Sequence, residues 1–84
     1  MVKPYIDNGN TRTFSADVDS DELIWHRDKR DREIAIISGT GWKLQMDDRL
    51  PVELFVGKVY DIPKMEYHRV IKGTGDLVIK IWEH

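Results

Sequence analysis

The chain has no cysteine among its 84 residues. Disulfides and thiolate metal sites are therefore excluded, and any bound metal must rest on nitrogen and oxygen donors. No apolar run approaches the length that spans a bilayer. The opening residues MVKPYIDNGN lack the apolar centre of a signal peptide. These absences lead to the expectation of a cytoplasmic chain with no membrane partner. Neither charge is in excess: 13 basic and 15 acidic residues are well mixed, for a net charge of −2. A dedicated nucleic-acid binder would carry a basic face, so no nucleic-acid partner is expected. No stretch shows the apolar period of about 3.6 residues that marks an amphipathic helix.

What is present is a small soluble composition, 40% hydrophobic and 33% charged, in a chain with room for one domain. So short a chain buries only roughly 60–65% of its unfolded surface. Without disulfides, the remaining supports are a bound metal and a partner subunit. Three tryptophans, Trp25, Trp42 and Trp82, are read as core or interface residues. With edge strands exposed as well, a homodimer is expected.

The apolar pattern has the two-residue period of strands. Val2–Ile6 and Thr11–Ala16 flank the turn Asn8-Gly9-Asn10, and Pro4 confines the first piece to an edge. Residues 1–20 are taken as an extended N-terminal arm and residues 21–84 as the barrel domain. Glu22–Asp28 is the first clear strand. Glu33–Ser38 follows, ended by Gly39-Thr40-Gly41. Trp42–Met46, Val52–Val56, Val59–Ile62, Tyr67–Lys72 and Leu77–Trp82 complete the set, separated by turns such as Gly73-Thr74-Gly75-Asp76. Many short strands at regular spacing predict an all-β sandwich or barrel.

His26 and Asp28 are potential metal ligands one residue apart, and in a strand i and i+2 share a face. A later histidine, His68, stands on another strand. Two imidazoles and one carboxylate on one side of a metal leave positions open for substrate, the facial triad of non-haem iron(II) sites. The same donors suit Mn, Ni or Zn, so the expected cofactor is a divalent ion of unspecified identity. The competing reading has no metal: Asp28 pairs with Arg32, Arg30 or Arg69, and the histidines are hydrogen-bonded barrel residues.

Gly57, Pro63 and His68 fall at the spacing of the second sequence motif of the cupins, in which Gly, five intervening residues, Pro and then His recur. Met65 stands where that motif has its second Gly, and Lys72 where it has Asn. In the first motif His26 and Gly39 match, while Asp28 replaces the second His. The chain thus resembles a small single-domain cupin, and the resemblance implies a jelly-roll or double-stranded β-helix barrel with a metal inside it. Its Glu position falls on Arg32 or on Glu33, depending on the gap counted, and these two point to opposite faces. The implied ligand set is therefore His26, Asp28 and His68, with Glu33 as an optional fourth. Arg32 and Glu33 are the candidates to orient a substrate. The resemblance implies a metal-dependent dioxygenase, isomerase or lyase acting on a small molecule; the alternatives are a non-catalytic ligand-binding protein and an interaction module with a decayed site.

Overall fold

A computed structural model describes residues 3–84. Eight strands form two antiparallel sheets, and the only regular helix among the described residues is a single 3₁₀ turn, Ser20–Glu22. The strands are β1 (Ile6–Asn8), β2 (Thr11–Phe14), β3 (Arg32–Thr40), β4 (Lys43–Met46), β5 (Val52–Glu53), β6 (Val59–Ile62), β7 (His68–Ile71) and β8 (Thr74–Glu83). One sheet has the order β1-β2-β8-β3-β6, the other β5-β4-β7. The chain is an all-β jelly-roll barrel. No helix among the described residues is long and apolar enough to cross a membrane.

The two sheets face each other across a core of Phe14, Ile34, Ile36, Ile62, Leu77 and Ile79 from the larger and Leu44 from the smaller. Trp42 and Leu54, from the segments joining these strands, complete the filling. Alternation does this work: Ile34 and Ile36 enter the core, while Glu33 and Ala35 lie opposite Trp82 and Lys80 on the outer face. β8 is the longest strand and lies between β2 and β3, so it ties the start of the chain to its middle.

Several boundaries differ from the sequence expectation. Residues 20–28 do not form the strand expected over Glu22–Asp28; they run as a 3₁₀ turn and an irregular segment with one isolated bridge, His26 to His68. Asp19 caps the turn, accepting from the Asp21 backbone N–H at 3.0 Å, so a local cap captures residues whose pattern also suits a strand. Val52–Val56 is a strand only over Val52–Glu53; Phe55 instead opens a turn that returns its carbonyl to Lys58 N–H. The expected first piece, Val2–Ile6, gives way to Ile6–Asn8, and Val2 lies outside the described residues. The arm is stitched into the barrel, since β2 pairs with β8 and Phe14 and Val18 are buried.

Met65 adopts φ +62, the left-handed region where a side chain costs about 1 kcal/mol and glycine does not. It is half exposed, so little packing depends on its side chain. Met65→Gly is therefore expected to stabilise the fold by about 1 kcal/mol, read as a higher urea midpoint at unchanged slope.

Candidate metal centre

His26 and His68 exchange two backbone hydrogen bonds, at 2.9 and 2.8 Å. This single bridge carries the irregular segment onto the edge of β7 and sets both rings on one face, 4.3 Å apart between centroids. Asp28 follows two residues on, and its carbonyl accepts from Met65 N–H at 2.7 Å, fastening the segment to the β6–β7 loop. Donor atoms of His26, Asp28 and His68 all lie within 4.8 Å of one another. His68 is 3% exposed, Asp28 half-buried and His26 exposed, so the cluster opens to solvent on the His26 side.

The histidine tautomers follow from their partners. His68 Nδ1 lies 3.0 Å from the Glu66 carbonyl, and His26 Nδ1 lies 3.0 Å from the Ile24 carbonyl. A carbonyl can only accept, so each Nδ1 carries the proton and each Nε2 keeps its lone pair. Burial pushes His68 below the usual histidine range, helped by His26 and Arg32 and opposed by the Glu66 carbonyl and Asp28. The His68 ring is thus neutral near pH 7. Its Nε2 faces Asp28 Oδ2 at 3.3 Å, and that oxygen is buried with no hydrogen-bond donor among the described residues. Two acceptors confront each other where a cation would satisfy both.

The shifted histidine couples folding to pH. The unfolded chain takes up a proton at about 6.5, the folded chain only at a lower value. The stability His68 contributes is whole above pH 6.5 and declines as pH falls from there toward the folded value. Thermal melts of chelator-treated protein are expected to show this decline, and His68→Gln to flatten it.

Strand parity settles the two rival positions on β3. Arg32 shares the inward face with Ile34 and Ile36, and its Nη1 lies 3.5 Å from Asp28 Oδ1. Glu33 is on the outer face, opposite Trp82, and its carboxylate meets His84 Nε2 at 2.8 Å. Glu33 is therefore not beside His26 and His68, and it is not among the donors that cluster with them. Glu83 is a site neighbour that sequence reading passed over; its carboxylate holds Arg32 Nη2 at 2.9 Å. Only the β3–β8 register, which sets Arg32 opposite Glu83, brings it there.

Other candidates fall away from the cluster. Lys43 and Gln45 point outward, Gln45 holding Arg69 at 2.9 Å. Tyr67 also faces out, beneath Arg27. Lys72 turns inward and donates to the Val18 carbonyl at 2.8 Å. Trp42 is the core tryptophan, whereas Trp25 and Trp82 are exposed under Arg69 and Lys80.

No family model matches the sequence, and no curated protein matches it. Solved structures do share its fold. A cupin domain from Bordetella pertussis Tohama I superposes with TM-score 0.59 at 19% identity, over 94% of this chain and 86% of that one. KdgF from Halomonas sp. gives 0.60 at 14% identity, over 94% and 85%. A protein from Neisseria meningitidis gives 0.61 at 18% identity, over 94% and 78%. At these identities the likeness is one of fold.

Proposed function

We propose that this chain, which has the cupin fold, holds a divalent metal ion on His26, Asp28 and His68 and uses it to bind or transform a small molecule. The observation that carries the reading is the facing pair of acceptors, Asp28 Oδ2 and His68 Nε2, one of them buried and unpartnered. A bound ion would supply Lewis-acid polarisation of a ligand at its open positions, with the metal drawn from Fe, Mn, Ni and Zn. The carbonyls of Ile24 and Glu66 orient the two rings for that role by fixing their Nδ1 protons. Arg32 steadies the other oxygen of Asp28. The exposed flank of His26 is the side from which a ligand would approach.

The test is a metal titration by calorimetry after chelator treatment, on tag-free protein. About one ion per chain is expected, with Asp28→Asn weakening binding about a hundredfold. The asparagine keeps the volume and can donate its amide to His68 Nε2, so that variant is expected to fold. Glu33→Gln is expected to bind metal like the parent. A parent that takes up no ion, or an Asp28→Asn variant that binds equally well, would refute the proposal.

The Asp28–Arg32 contact favours a second reading, in which the ion pair replaces the metal and the barrel only binds a ligand. It predicts that Asp28→Asn, which removes one of the two carboxylates that Arg32 meets, destabilises the chain. The metal reading predicts the opposite sign for the chelator-treated protein, because an acceptor–acceptor contact has been removed.

A further inference from the structure

The interior of the site carries a guanidinium beside its candidate ligands. Arg32 Nη1 lies 3.5 Å from Asp28 Oδ1, longer than the roughly 3.2 Å of a formed N–H···O bond. Its Nη2 is held by Glu83 at 2.9 Å. Its Nε is buried without a hydrogen-bond partner. Arg32 therefore has donor capacity that the protein leaves unused. It is close enough to His68 to help lower the affinity of that ring for a proton.

The charges at the site do not cancel. With a divalent ion in place, two neutral imidazoles, one carboxylate and the Arg32–Glu83 pair leave the site net positive. Asp28, once bound to the ion, would have less charge to offer Arg32. A neutral ligand would do nothing to relieve this; an anion would, by meeting the metal with one oxygen and the guanidinium with another.

Resting on the metal reading above, we infer that the site selects small carboxylates, bound between the ion and Arg32. Glu83 opposes this by holding the guanidinium toward the C-terminal end of β8, so it sets how tightly the anion is held. Approach is from the exposed His26 flank. Arg32 also lines a depression of ≈ 250 Å³ together with Asp31, Glu33, Asp61 and His84, and the three carboxylates there would repel an anion.

The experiment uses cobalt(II), whose visible absorption reports its coordination, and malonate as the probe. Metal affinity is measured first for each variant, and malonate is then titrated into cobalt-saturated protein, with imidazole as a neutral probe. Malonate is expected to shift the cobalt bands of the parent. Arg32→Met is expected to weaken malonate about tenfold or more while imidazole binds as before, and Arg32→Lys to fall between. Glu83→Gln, which keeps Arg32, is expected to tighten malonate several-fold. Equal malonate affinity in the parent, Arg32→Met and Glu83→Gln would overturn the inference while leaving the metal site standing. Failure of the parent to bind cobalt would overturn both.

Discussion

Gly73→Ala is expected to leave no folded protein. A Cβ at this position would stand 2.3 Å from the Thr40 carbonyl oxygen, 2.3 Å from the Trp42 backbone nitrogen and 2.5 Å from the Gly41 carbonyl carbon. All three are backbone atoms of the β3–β4 turn, and none can rotate away. The β7–β8 turn and the β3–β4 turn cross here with no room for a methyl group. Relief requires the two turns to separate, which would draw Trp42 out of the core and open the β3–β8 pairing near Thr40 and Thr74. A domain of this size has about 5 kcal/mol of stability to lose, and a forced backbone displacement exceeds that. Far-UV dichroism and amide NMR dispersion of the variant should show the loss. Gly75→Ala is the control: its Cβ would meet nothing within 4 Å, and only its φ of +71 is unfavourable. That variant is expected to fold, about 1 kcal/mol less stable. A well-dispersed spectrum from Gly73→Ala would show that the turns do not need their close approach.

The second large effect is at Trp42, which is wholly inaccessible. Its ring packs against Phe14 at 6.0 Å between centroids, and its indole N–H donates to the Gly75 carbonyl at 3.1 Å. It thus fills the space between the sheets and holds the β7–β8 turn. Trp42→Ala removes the largest buried side chain and is expected to cost about 3–5 kcal/mol. Trp42→Phe keeps much of the volume but loses the bond to the carbonyl of the exposed Gly75, so about 1 kcal/mol is expected. Urea denaturation followed by dichroism separates the two. An alanine variant within 1 kcal/mol of the parent, roughly the size of ordinary surface effects, would mean that the core closes over the loss.

These two positions show where local pattern and three-dimensional contact part company. The run 73–76 reads as a Gly-Thr-Gly-Asp turn, and neither glycine is distinguished by sequence. In the structure one is pressed against another turn and the other stands open. The same holds for the tryptophans. All three look equally apolar, yet only Trp42 is enclosed, because the inward parity of β4 falls on Trp42 and Leu44.

The sequence by itself determined the class of the fold. Alternation along Trp42–Met46, Val59–Ile62 and Leu77–Trp82 requires strands with one buried face, and the glycine-rich turns between them permit antiparallel return. It also determined which side chains are available for a metal, since cysteine is absent and three histidines are all the chain has. Glycine, proline and histidine at the spacing of the second cupin motif pointed to His68, and His26 and Asp28 to the other half of the cluster. The tertiary structure alone decided which of Arg32 and Glu33 enters the barrel. Ile34-Ala35-Ile36-Ile37 is apolar at every position, so it carries no alternation from which to read the parity of its neighbours. Pairing with β8, where Ile34 meets Ile81 and Glu33 meets Trp82, supplies that parity. It sends Arg32 to the site and Glu33 to the outer face, and brings Glu83 from the far end of the chain to hold the guanidinium. Contacts of that separation depend on the register of strands distant in sequence, and register is a property of the packed sheet.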